Sequence, residues 1–232
     1  MKKVGIIGGI GPASTPDYYL GVINGCRAKT KDDNYPRIVI NSVNMTEMMA
    51  FVRSKDWEGL ADMLLAAIRE LAAAGAELAA IASNTPHIVF ERLRERSPLP
   101  LVSIVEATCQ AARDRGCEKA VVIGTYFTMS SGLYNEAFRK HGITAVVPSE
   151  SEQETIHNII FPKLEDGIVD REDKRKMLAL VSGLLTQHHA GALVLGCTEL
   201  PLMIKEGDLD TLLLNTTRIH IDAIVKAILS TI

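Results

Sequence analysis

Short, nearly continuous apolar runs alternate along this chain with longer stretches in which apolar residues recur every three to four positions. The runs at 3–7, 37–43, 78–82, 101–104, 120–123, 144–147, 192–195 and 212–214 predict strands. Many are almost wholly apolar rather than alternating, as expected of strands covered on both faces in a parallel sheet. Over 57–74, Leu60, Met63, Leu64, Ala67, Ile68 and Leu71 keep the helical period, and Gly75 suits a C-terminal stop. Over 170–189, Met177, Leu178, Leu180, Val181, Leu184 and Leu185 do the same, with Gly191 just beyond. A last helix is predicted over about 216–229. Strands alternating with amphipathic helices predict an α/β fold of βαβ units with right-handed crossovers.

The pattern also repeats coarsely. Lys3-Val4-Gly5-Ile6-Ile7-Gly8 resembles Ala120-Val121-Val122-Ile123-Gly124-Thr125. Each begins a half that later reaches an apolar strand, a small polar turn and a helix. In the first half that turn is Ser83-Asn84-Thr85-Pro86-His87; in the second it is Cys197-Thr198-Glu199-Leu200-Pro201. The expectation is two similar α/β domains with mainly parallel sheets, related by a pseudo-two-fold axis, with the site at their interface. The expected domains are 1–98 plus 210–232, and 99–209. Both polar turns would then lie at the C-terminal ends of strands, where open α/β sheets bind ligands.

Composition narrows the function classes. Among 232 residues, 47% are hydrophobic and 23% charged, with a formal net charge of −3, ordinary values for a globular chain. That charge gives no general electrostatic reason to bind nucleic acid or an anionic membrane. No apolar stretch approaches the roughly 18–20 residues that span a bilayer. The first residues enter a core strand without the apolar region and cleavage site of a signal peptide, so a cytoplasmic protein is expected. Cys26, Cys109, Cys117 and Cys197 form no CxxC pair and no zinc-spaced cluster. Cys26 and Cys109 fall in helical patterns and read as buried structural thiols; Cys117 lies in the turn Arg115-Gly116-Cys117.

Cys197 has the suggestive setting. A thiol at a helix N-terminus meets free N–H groups and the positive end of the helix dipole, and its pKa is expected below the free value of about 8.5. Such a thiolate serves as nucleophile or base; a small buried thiol is the alternative. Ser83-Asn84-Thr85 suits an N-cap, with Pro86 just inside the helix, and the same N–H groups suit a carboxylate. Gly9-Ile10-Gly11 lacks the third glycine and the later acidic residue of a dinucleotide fold, and reads as a tight turn that lets backbone approach a small ligand. Thr125 is a carboxylate-binding hydroxyl or the cap of a helix starting near Ser130. Lys163, after Phe161-Pro162, is a solvated cation or the partner of a second substrate carboxylate. His87 lies one turn into its helix and reads first as structural. His188 and His189 suit a helix C-terminus.

Taken together, Gly8-Gly9-Ile10-Gly11-Pro12, Asn84-Thr85-Pro86-His87, Gly124-Thr125, Gly196-Cys197-Thr198-Glu199 and Asn215-Thr216-Thr217-Arg218-Ile219-His220 resemble the aspartate/glutamate racemase family over essentially the whole chain. The resemblance implies a small amino-acid or dicarboxylate substrate, no pyridoxal phosphate, no metal, and a homodimer. It implies proton removal from Cα by a thiolate on one face and return by a thiol on the other. Cys197 matches the second-domain cysteine. Asn84, Thr85 and Thr198 match positions that hold the α-carboxylate and amino group. Thr125 matches a substrate-side hydroxyl, and Lys163 a lysine near the side-chain carboxylate. Gly9 and Glu199 complete the expected substrate shell.

Two departures matter. Ser83 stands where the family usually has its first cysteine, and a hydroxyl is a far weaker acid than a thiol. An asymmetric racemase is therefore expected, with easier proton removal by Cys197 than through Ser83. The segment Asn44-Met45-Thr46-Glu47-Met48-Met49 offers no Arg where some aspartate racemases carry one, which weighs against strict aspartate preference. The competing readings are a one-cysteine decarboxylase or isomerase of a dicarboxylic acid, and a non-catalytic protein that binds small acids.

Overall fold

The computed structural model describes residues 1–230 and divides the chain into two compact units. The first comprises Met1–Ile104 and the C-terminal segment from His220; the second is Val105–Ile219. In the first lie β1 (Val4–Gly8), α1 (Thr15–Thr30), β2 (Ile38–Ser42), α2 (Met45–Ser54), α3 (Trp57–Ala73), β3 (Leu78–Ile81), α4 (Phe90–Arg96) and β4 (Leu101–Val102). Helix α5 (Ile104–Asp114) leads into the second unit. There follow β5 (Lys119–Ile123), α6 (Tyr126–Ser130), α7 (Leu133–Lys140), β6 (Thr144–Val146), α8 (Glu150–Ile159), α9 (Arg171–His188), β7 (Ala192–Leu195), α10 (Leu200–Met203) and β8 (Leu212–Asn215). Helix α11 (Thr216–Leu229) carries the chain back to the first unit.

Each unit holds a four-stranded parallel sheet. The orders are β2-β1-β3-β4 and β6-β5-β7-β8, the same sequence of positions in both. Strands β1, β3 and β7 are buried along their whole length, which is why they read as unbroken apolar runs. In the first unit, Val4, Ile6, Tyr18, Val22 and Ala80 pack with Ile221, Ile224 and Ile228 of α11. In the second, Val121, Ile123, Ile156, Ile160, Met177, Val181, Leu193 and Leu195 form the core beneath Cys197.

The expected boundaries shift. Residues 99–104 stay with the first unit because β4 pairs with β3, Ala79 opposite Leu101. Residues 210–219 belong to the second because β8 pairs with β7, Ala192 opposite Leu212. An apolar strand carries no local sign of which sheet will take it, so a division at 98/99 and 209/210 places two strands in the wrong sheet.

Helix ends follow local chemistry. Asp56 caps α3 by accepting from Gly59 N–H at 2.9 Å. Asp170 caps α9 by accepting from the Glu172 and Asp173 N–H groups at 2.9 and 3.1 Å, and His189 closes it in the left-handed conformation (φ 50°). Among the described residues no helix is long and apolar enough to cross a membrane.

Candidate active site

In the first unit the strand ends gather Gly9, after β1, and Ser83-Asn84-Thr85, after β3. Gly9 has φ +82°, and a side chain there would run into the Val43 carbonyl, so only glycine makes this turn. Its N–H already donates to Thr15 Oγ1 at 3.0 Å, so any contact of Gly9 with a ligand runs through other atoms. Ser83 and Thr85 are half-buried and Asn84 is buried. The chain passes from Asn84 into a 3-10 turn, Thr85–Val89, rather than straight into an α-helix, and no side chain caps its start. The capping role expected of these residues is therefore not taken up. The Ser83 hydroxyl has no hydrogen-bond partner among the described residues.

Beneath this turn lies a buried polar group of His87, His220 and Tyr18. Ile104 N–H donates to His87 Nε2 at 3.2 Å. His220 Nε2–H donates to the Val102 carbonyl, and Tyr18 O–H donates to His220 Nδ1, each at 2.9 Å. The Ile104 contact needs the lone pair of His87 Nε2, and burial keeps His220 neutral, which together set both tautomers. Burial, and for His87 the neighbouring His220, lower their pKa values to about 3 and about 4 respectively. None of the sequence motifs joined these three residues, because their contacts are long-range.

The second unit holds the thiol. Ser83 and Cys197 are each the second residue past their strands, and β3 and β7 occupy corresponding positions in the two sheets. Gly196 N–H donates to the Ile123 carbonyl at 2.7 Å, tying the end of β7 to that of β5. Cys197 is 6% exposed and its thiol donates to Glu199 Oε2 at 2.9 Å. Thr198 Oγ1 donates to both Glu199 oxygens at 2.8 Å. Glu199, itself 3% exposed, is thus held by two side chains from its own turn.

The expected thiolate is not what this setting makes. Burial pushes the Cys197 thiol well above its ordinary pKa, and the Glu199 carboxylate pushes it further. The following helix, α10, has only four residues and offers little dipole to oppose them. Cys197 therefore rests as a neutral thiol, with its proton held in a hydrogen bond to the Glu199 side chain.

Glu165 completes the cluster, and no sequence motif singled it out. It follows the turn Ile160–Leu164, whose contact with α10 brings it to Glu199. One ligand atom each from Glu165, Cys197 and Glu199 lies within 4.8 Å of the others. Burial, then Glu199 and Asp166, push the Glu165 carboxyl up to about 7, so it exchanges its proton near neutral pH. One thiol and two carboxylates are also donors of a kind that zinc accepts.

Thr125 caps α6, accepting from Thr128 N–H at 3.3 Å, and the helix starts at Tyr126 rather than near Ser130. Lys163 is exposed, and its ammonium is shared by Asp170 and Asp173 at 3.3 and 3.1 Å. Any second substrate carboxylate there meets a cation that two aspartates already hold.

The sequence pattern of the Asp/Glu/hydantoin racemase family matches residues 7–224. The chain belongs to this family. Against the broad specificity amino-acid racemase of Bacillus subtilis (strain 168) it is 26% identical over 202 residues, 85% of each chain. An aspartate racemase homologue from Pyrococcus horikoshii OT3 superposes with a TM-score of 0.87 at 36% identity, over 99% of this chain and 100% of that one. Glutamate racemase from Aquifex pyrophilus shares the fold, with a TM-score of 0.66 at 22% identity over 97% and 84% of the two chains. Within the racemase family, then, this chain has one thiol and one hydroxyl at the two corresponding strand ends.

Proposed function

We propose that the protein interconverts amino-acid enantiomers by proton transfer at Cα, with Cys197 as the competent acid and base and Ser83 as an impaired partner. The observation that carries this reading is the Cys197–Glu199 hydrogen bond at the end of β7 in a chain of the racemase family. The substrate is a free amino acid, with aspartate and glutamate as the first candidates. The likeness to a broad specificity racemase, and the engagement of Lys163 by two aspartates, favour a range wider than these two.

The chemistry follows from the charge arrangement. As acid, the Cys197 S–H delivers its proton to the carbanion. As base, it first passes that proton to Glu199, and the resulting thiolate takes the proton from Cα. The oxygens of Thr198 and Glu199 accept from the substrate ammonium, whose positive charge favours the thiolate beside it. Asn84, Thr85 and Thr125 hold the carboxylate. Ser83 hands protons to and from water on the other face. Each pKa unit by which its hydroxyl exceeds a thiol costs about 1.4 kcal/mol in driving force, so transfer there is the slow half. No pyridoxal phosphate or metal is needed for these steps. A homodimer in the cytoplasm is part of the same reading, through the family resemblance.

The test is chiral analysis of L- and D-aspartate, glutamate, alanine and glutamine after incubation with the protein. Formation of the opposite enantiomer supports the proposal; unchanged enantiomers throughout refute it. Glu199→Gln probes the relay. Removing the carboxylate that raises the thiol is expected to lower the Cys197 pKa, so alkylation of Cys197, mapped by mass spectrometry, accelerates at pH 8. Racemisation should meanwhile fall by about 10²-fold, the usual scale for a lost proton-transfer partner. Slower alkylation with undiminished turnover would contradict the relay.

A further inference from the structure

His87 lies three residues beyond the Ser83-Asn84 pair, and its ring makes more specific contacts than core packing alone requires. It is 4% exposed and stacked on Phe90, with ring centroids 4.9 Å apart and planes 9° from parallel. His220 meets it edge-on at 6.1 Å. Nε2 is occupied by Ile104 N–H, which leaves the proton on Nδ1. The backbone of Ser83 and Asn84 lies close enough to the ring to favour its protonated form, yet Nδ1 itself is buried with no hydrogen-bond partner.

The surroundings bind the same residues to the chain crossings. The chain leaves the first unit after Ile104 and re-enters it at His220. His87 holds the backbone at Ile104, and His220 holds it two residues earlier at Val102. His220 is in turn fixed by Tyr18 on α1. One neutral imidazole thus has its acceptor face on the crossing and its donor face on the turn that carries Ser83 and Asn84. A buried donor short of its partner is rare and points to a bond that forms when the backbone moves slightly.

We propose that His87 is a positioning residue of the first half-site: its Nδ1–H sets the Ser83-Asn84 backbone, while Nε2 and the His220–Tyr18 pair fix the ring. This rests on the reading of that turn as part of a racemase site. His87 touches no reacting atom; it acts through the turn.

Two substitutions separate positioning from packing. Asn at 87 places its amide N–H near the position of Nδ1 and keeps the donor toward the turn. Gln places its carbonyl oxygen near the position of Nε2 and keeps only the acceptor for Ile104. Both lose ring packing, so both should lower the melting temperature. The proposal expects His87→Asn to keep KM within about threefold of wild type. His87→Gln should raise KM about tenfold, the cost of one hydrogen bond to a binding turn. Equal KM values in the two variants, or a smaller KM for His87→Gln, would overturn it.

Calorimetric titration with L- and D-glutamate and L- and D-aspartate reads the same ordering as Kd. Binding without turnover would thus count against racemisation while still deciding the role of His87. Should either variant fail to fold, the wild-type His87 Nδ1 nitrogen resonance decides. A shift on adding these amino acids supports the positioning bond; an unchanged resonance under saturating ligand overturns it.

Discussion

Cys197→Ala is expected to remove Cα–H exchange and racemisation together, by 10³-fold or more, while leaving the fold in place. General acid–base groups contribute about 10²–10⁴-fold each, and this residue serves both directions of transfer. The side chain is small, so the loss of packing costs about 1 kcal/mol, well within the stability of a domain. Loss of turnover with a melting temperature lowered by only a few degrees is the predicted pair of results. Retention of more than about a tenth of the wild-type rate would move the proton-transfer role away from the thiol. Cys26 and Cys109 make suitable controls, because both are buried thiols outside the cluster, and burial raises the pKa of each.

Acid is the second large perturbation. His87 and His220 are buried neutral bases whose folded pKa values, about 3 and about 4, lie below the ordinary 6.5. The unfolded chain therefore takes up these protons first as pH falls. Their contribution to stability is complete above pH 6.5, declines below it, and is lost as pH reaches 4 and then 3. At about 1.4 kcal/mol per pH unit of difference, the two withdraw on the order of 5 kcal/mol by about pH 4.5. Glu165 works in the opposite sense. Its carboxyl is raised from 4.5 to about 7, so the fold bears a penalty above pH 7 that is relieved as pH drops toward 4.5. Its partial exposure makes this the smaller effect. It also belongs to the second unit, whereas both histidines belong to the first. Urea unfolding of Glu165→Gln at about pH 7, 5.5 and 4.5 isolates the histidines, and a steep fall in stability is expected. A flat profile between about pH 7 and 4.5 would show that the imidazoles are not held neutral.

Much of the fold was legible because buried parallel strands leave unbroken apolar runs. Val4–Gly8 and Ala192–Leu195 sit where those runs lie. The small residues Gly196 and Cys197 after β7 mark a strand end as clearly as Ser83 after β3. Partner choice between sheets left no such mark, and Leu212–Asn215 could have joined either sheet on apolarity alone. The same limit applied to the thiol. A helix start argued for a lowered pKa, but the helix is one turn long and the Glu199 side chain folds back onto the sulfur. Glu165 arrives from a distant turn, and Tyr18, His87 and His220 meet only once α1 and α11 have packed. Local propensity decides elements; the protonation states of a site depend on which side chains tertiary packing brings within a few ångströms.

The most direct measurement of the central claim is enantiomer-resolved exchange in deuterated water, comparing the wild-type protein with Ser83→Cys. For each of L- and D-glutamate and L- and D-aspartate, NMR follows loss of Cα–H while chiral analysis follows inversion. The account predicts rapid exchange from one enantiomer of a substrate pair, the one whose Cα–H meets Cys197, with inversion lagging behind it. It also predicts that Ser83→Cys brings the two enantiomers to similar rates. Equal exchange of both enantiomers by the wild-type protein, or no gain from the second thiol, would contradict the division of labour between Cys197 and Ser83.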